Sequence, residues 1–201
     1  MNGSFLPFLC VIIYLWVFVY VLIAGIGVLD KNCKIDKNHI LVAHNDYRHF
    51  HLAPKLEWSD ELEESAIKEA KRISNENSCK LPSYYRKLTA TNYLSVRRQT
   101  LEERVAVEFW YEGKIDYDFV KCSAKSRNPN LLAFTQLIWK NTTHVGCGVT
   151  CCDTDMILVC RYHPFGNIPG EFCSNVEKRY YDTMMEESHN TPTQTLAMPN
   201  A

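Results

Sequence analysis

Nine cysteines and seven histidines have the widest chemical reach in this chain. Thiolates and imidazoles can hold zinc, attack carbonyls or move protons. Their spacing argues against each of these roles. Cys151 and Cys152 are adjacent, not spaced C-x-x-C, and no pair of C-x-x-C motifs exists. His49 and His51 stand two apart, so on a helix they face different sides and do not share an ion. His144 and His163 fall just outside expected strands and read as surface residues. His44 lies in a helical pattern with Asn45 and Arg48, which suits a structural hydrogen-bonding role. The chain has no Gly-x-Ser-x-Gly elbow, no glycine-rich phosphate loop and no His-Glu-x-x-His motif. A cysteine nucleophile needs a thiolate in an electropositive niche; oxidation into disulfides is the simpler fate here.

Cys10 lies within an apolar leader. The other eight are Cys33, Cys79, Cys122, Cys147, Cys151, Cys152, Cys160 and Cys173. An even set behind a leader reads as a disulfide framework, although eight thiols allow about 105 pairings. The hairpin formed by the last two strands offers one specific pair. If its loop runs from Cys151 to Met156, Thr150 faces Ile157 and Cys147 faces Cys160. That register brings two sulfurs within bonding reach.

The first 29 residues carry no charged side chain. One reading is a cleavable signal, residues 1–27, with Gly25 and Gly27 as small residues before the cut. The other is a retained anchor, since the run exceeds the roughly 20 residues that cross a bilayer. Lys31, Lys34 and Lys37 would then pull the following segment toward the cytoplasm, which suits disulfides badly. Asn141-Thr142-Thr143 is a glycosylation sequon and places Asn141 on the surface of an exported protein. A net charge of −1 and a pI of about 6.6 exclude the basic surface that nucleic acid requires. One domain is expected over residues 31–176, followed by a mobile polar tail over 177–201.

Four helices must position whatever site exists. The first spans about Lys37 to Phe50, with Ile40, Ala43, His44 and Tyr47 on one face. The second starts after Ser59, an N-cap, and buries Leu62, Ala66, Ala70 and Ile73. The third opens on Thr100-Leu101-Glu102-Glu103, a capping box, and sets Val105 and Phe109 on one side. The fourth follows Asn128-Pro129 and carries Leu131, Phe134, Leu137 and Ile138, stopping near Asn141. Strands are expected near Thr89 to Val96, over Val145–Val149 and over Met156–Cys160. The last is a continuous apolar run of the kind buried on both faces. Helices on both sides of a small antiparallel sheet make an α+β, three-layer α-β-α sandwich.

Several segments resemble the CAP superfamily, which takes in cysteine-rich secretory proteins, antigen 5, pathogenesis-related proteins and venom allergen-like proteins. They are Ala43-His44-Asn45-x-x-Arg48, Pro54-x-Leu56-x-Trp58, Trp110-Tyr111 with Asp116-Tyr117-Asp118-Phe119, Phe134-Thr135-Gln136-Leu137-Ile138-Trp139, and Val159-Cys160-Arg161-Tyr162 through Gly166-Asn167. Family members with an intact cleft carry two His and two Glu there, which can hold a divalent ion such as zinc. On this resemblance the four positions fall on Ser83 (or Leu81, counting from Cys79), Thr91, Gly113 and Ala133. None of these is a competent zinc ligand. Glu112 adjoins Gly113, but one step along a helix turns a side chain by about 100°. The resemblance therefore implies a secreted, non-catalytic binding module without metal or other cofactor. Its partner would be an extracellular protein or an apolar lipid or sterol. A hydrolase or a membrane-anchored CAP protein are the alternatives, and membrane contact arises only if the leader stays uncleaved.

Overall fold

The computed structural model describes residues 16, 33–81, 91–97, 102–126, 128 and 130–190. The chain divides into two units, Met1–Cys33 and Lys34–Ala201, and every element below lies in the second. In order they are α1 (Lys37–Phe50), β1 (Glu57–Trp58), α2 (Asp60–Asn77), β2 (Thr91–Arg97), α3 (Glu103–Tyr111), a 3₁₀ turn (Glu112–Asp116), β3 (Tyr117–Asp118), β4 (Ser123–Ala124), α4 (Leu131–Leu137), β5 (His144–Cys151), β6 (Asp155–His163), α5 (Phe172–Asn175) and α6 (Tyr180–Asn190). Among the described residues no helix is long and apolar enough to cross a membrane.

Met156–Cys160 is apolar throughout because β6 is central in a sheet covered on both faces. The strand order is β1-β5-β6-β2. Ile157 and Val159 pack with Ala66, Ala70 and Ile73 of α2, whereas Leu158 and Cys160 join the larger core of α1, α3 and α4. The result is the expected three-layer sandwich. The hairpin register sets Cys147 opposite Cys160 and Thr150 opposite Ile157. The sheet is not purely antiparallel: β1 pairs β5 in parallel, with Glu57 beside His144.

Local chemistry accounts for the helix ends. Asp36 caps α1 by accepting from the amides of Asn38 and His39, and Ser59 caps α2 by accepting from Leu62. α2 lies close on β5 because Gly146 and Gly148 lack side chains. A Cβ at Gly146 would meet the Glu63 nitrogen at 2.2 Å, and one at Gly148 the Ile67 nitrogen at 2.5 Å.

Four expectations need correction. α3 has Glu102 as its N-cap with no side-chain cap bond, and Thr100 of the capping box lies outside the described residues. Its buried face is Ala106, Val107 and Trp110, with Val105 and Phe109 exposed; the bulkiest ring, Trp110, sets which face turns inward. α4 stops at Leu137 because the Trp139 and Leu137 carbonyls turn to the Arg48 guanidinium. Finally, the stretch read as a mobile polar tail contains helix α6. Arg179 donates to Asp182 across its first turn at 2.6 Å, and Glu177 before it forms an ion pair with Lys140.

Candidate functional site

Two of the four candidate metal positions lie on elements that flank one polar cluster. Thr91 opens β2 and is half-buried; Ala133 lies in α4, also half-buried. Gly113 is buried in the 3₁₀ turn, and Ser83 lies outside the described residues. Between Thr91 and Ala133 stands Asn92. Its amide donates both to the Ala133 carbonyl at 3.0 Å and to the Tyr162 hydroxyl oxygen at 3.0 Å.

Tyr162 in turn meets His44 Nε2 at 3.1 Å, and His44 Nδ1 meets the Ile40 carbonyl at 2.7 Å. A carbonyl only accepts, so Nδ1 carries the proton and Nε2 accepts from the tyrosine hydroxyl. Burial lowers the pKa of His44 to about 4, and Arg48 adds to that shift. Burial also pushes the Tyr162 hydroxyl far up. Both groups are neutral at pH 7, and each donor finds an acceptor. The cluster is a closed chain, Asn92 to Tyr162 to His44 to Ile40, with no proton poised for transfer.

Gly113 is held against the start of α4. A Cβ there would lie 2.3 Å from the Asn130 carbonyl oxygen and 2.7 Å from its carbon. Backbone occupies the space into which a ligating side chain would project. Among the described residues, His44, Cys147 and Cys160 bring potential metal-ligand atoms within 4.8 Å of one another. The two sulfurs are bonded to each other, so neither offers the thiolate that a metal takes. Cys79–Cys152 and Cys122–Cys173 are the other located pairs, and Cys33 and Cys151 are disulfide-bonded as well.

The polar residues of the two signature segments brace each other. Gln136 accepts from the Gly166 amide at 2.7 Å and donates to the Thr142 hydroxyl at 3.0 Å. Thr142 donates to the Pro164 carbonyl, and Asn167 donates to the Leu132 carbonyl. Arg48 ties α1 to the same corner through the carbonyls of Pro54, Leu137, Trp139 and Thr142, at 2.7–3.0 Å. These side chains join segments of the chain to one another. Asn141 of the sequon is exposed beside them. His144 and His163 begin β5 and end β6, half-buried and exposed respectively.

One buried group escaped the sequence reading. His51 is 1% exposed. Its Nδ1 lies 2.6 Å from the Glu177 carbonyl and its Nε2 3.0 Å from the Tyr111 hydroxyl. Burial lowers its pKa to about 4, with Lys114 and Arg179 contributing. Tyr111, Phe119 and Phe134 surround the ring. The signal was available: residue 51 continues the Ile40, His44, Tyr47 face by one more turn.

A sandwich with these signature segments braced across it defines a family. The chain matches the model of CAP, the cysteine-rich secretory protein family, over residues 41–162, and it belongs to that family. It is 30% identical over 153 residues to "Repressed by EFG1 protein 1" of Candida albicans, covering 73% of this chain and 52% of that protein. It is 32% identical over 119 residues to Scoloptoxin SSD976 of Scolopendra dehaani, covering 56% and 55%. The chain thus spans about half the length of these curated relatives. The solved Hookworm Platelet Inhibitor shares the fold, with a TM-score of 0.53 and 20% identity over 73% of this chain and 76% of that one. So does NaASP2, solved with Zn2+: TM-score 0.51, 18% identity, 76% and 90% coverage.

Proposed function

We propose that this protein is a secreted, non-catalytic CAP domain, a disulfide-stapled binding module for an extracellular protein or an apolar lipid or sterol, with a degenerate metal tetrad. The observation that carries the reading is the closure of position 113 by the Asn130 backbone at 2.3 Å. A carboxylate cannot enter there without moving α4. Thr91 and Ala133 have no group that ligates zinc, and the nearby imidazole of His44 is held neutral with both nitrogens engaged. Disulfides throughout the domain fit an oxidising compartment, and the exposure of Asn141 supports a glycan there.

The decisive experiment measures metal and product together. Protein recovered from the medium of cells expressing the full chain carries less than stoichiometric zinc by elemental analysis, and its N-terminus lies at or near Val28. Mass spectrometry of its extract separates the ligand classes: a copurified sterol or fatty acid marks the lipid version, and a clean extract marks protein contacts. Zinc bound one-to-one, or proteolysis abolished by a chelator, overturns the reading.

A further inference from the structure

His51 closes α1 and lies under the chain that leads into α6. Its ring is 1% exposed, and both nitrogens are engaged, Nδ1 by the Glu177 carbonyl at 2.6 Å and Nε2 by the Tyr111 hydroxyl at 3.0 Å. The binding function proposed above makes no use of this ring. Charging it in place would hold an imidazolium away from water.

The groups around the ring do not offset that cost. Lys114 of the 3₁₀ turn and Arg179 before α6 oppose a positive charge on it, while the Glu177 carbonyl and Asp182 of α6 favour one. Asp182 is already paired with Arg179, and the Glu177 carboxylate with Lys140. Tyr111 of α3 is a phenol that burial pushes up to about 12, so it stays neutral. Phe119 and Phe134 add apolar faces. Within α1 itself, the Arg48 guanidinium is turned to four carbonyls. The enclosed ring therefore stays neutral down to about 4, whereas an imidazole in water takes a proton near 6.5.

The walls of this enclosure differ in how firmly they are held. Phe134 is fully buried, and Tyr111 and Phe119 pack against the main core. No described side chain of α6 is buried: Tyr180, Tyr181, Met184 and Met185 are exposed, and Asp182 and Thr183 are half-buried. The chain just before it is pinned. Cys173 is bonded to Cys122. Asn175 accepts from the amides of Lys140 and Asn141, and Val176 is buried in the core. α6 has 11 residues, and an isolated helix of that length is marginal in water. Once detached, it unravels.

We propose that His51 is an acid-operated latch, whose protonation releases residues 177–190 from the domain with Val176 as the hinge while the sandwich stays folded. Above pH 6.5 the neutral ring holds the Glu177 carbonyl. As pH falls from 6.5 toward 4, the released form binds the proton that the closed form excludes, so the equilibrium moves toward release. The shift between pH 7.5 and pH 5 is about thirtyfold.

Hydrogen exchange read by mass spectrometry tests this on the full chain recovered from medium, at pH 7.5 and 5.0, with rates corrected for intrinsic exchange. Amides of residues 177–190 lose about thirtyfold in protection at pH 5.0. Those of β6, which open only with the whole domain, remain much more protected at both pH values. In His51→Gln, which keeps a donor and an acceptor but does not titrate, protection of residues 177–190 becomes indifferent to pH. Unchanged protection of that segment in the wild type overturns the proposal. So does equal protection of the segment and β6 at pH 5.0, which means that only the whole domain opens, or a thirtyfold loss that persists in His51→Gln.

Discussion

His51 Nδ1 donates to the Glu177 carbonyl at 2.6 Å, joining the end of α1 to the segment that leads into α6. The bond requires a neutral ring whose proton sits on Nδ1, because Nε2 accepts from Tyr111. With His44 held the same way by Ile40 and Tyr162, two imidazoles are buried neutral.

Acid should therefore loosen the domain. Both histidines titrate near 4 when folded and near 6.5 when unfolded. Between those values the unfolded chain binds more protons, so stability falls as pH drops from 6.5 toward 4 and is fully present above 6.5. The expected loss at pH 5 relative to pH 7.5 is about 2 kcal/mol for each histidine. Urea unfolding at the two pH values reads it, and His51→Gln should remove roughly half of the difference. A stability unchanged across this window contradicts the buried neutral rings.

Gly113→Ala tests the closed cleft. Its Cβ meets Asn130 backbone at 2.3 Å, so α4 must shift, at a cost of about 2–4 kcal/mol. Chemical denaturation is the measurement. A neutral alanine would mean that a side chain fits and that the position remains open to a ligand.

Arg48→Met should be among the most damaging single changes. The guanidinium donates to four carbonyls, and its removal leaves buried acceptors unmatched, at about 1–3 kcal/mol each. Arg48→Lys should recover only part of the loss, since an ammonium cannot reproduce the planar fork. Equal stability of the lysine variant and the wild type would remove the fork from the account.

Replacing both Cys147 and Cys160 by Ala opens a loop of sequence separation 13. The chain-entropy model assigns such a loop about 3 kcal/mol. The loop closed by Cys79–Cys152, separation 73, should cost more to open. Thermal unfolding of the two double-alanine proteins ranks them, and the reverse order would show that packing outweighs loop entropy here.

Residue order alone carried much of this protein. Ser59 and the acidic turn after it mark the start of α2 by local chemistry. The spacing from Cys147 to Cys160 with a short polar loop sets the hairpin register, because strand pairing across a tight connection leaves few choices. The resemblance of the signature segments carried the family and hence the sandwich. What remained hidden depends on partners distant in sequence. Trp110, not Val105 or Phe109, chooses the inner face of α3, because its indole reaches the Tyr93 carbonyl. Gly113 reads as a mere gap in a motif until Asn130 is found against it. His51 looks like a loose polar residue until Glu177 and Tyr111 close on either side. α6 shows weak apolar periodicity, and its Arg179–Asp182 clasp and the contacts of Glu177 hold it in place. A pattern along the chain reports which side chain prefers to be buried; which atom it is buried against is decided only when remote segments meet.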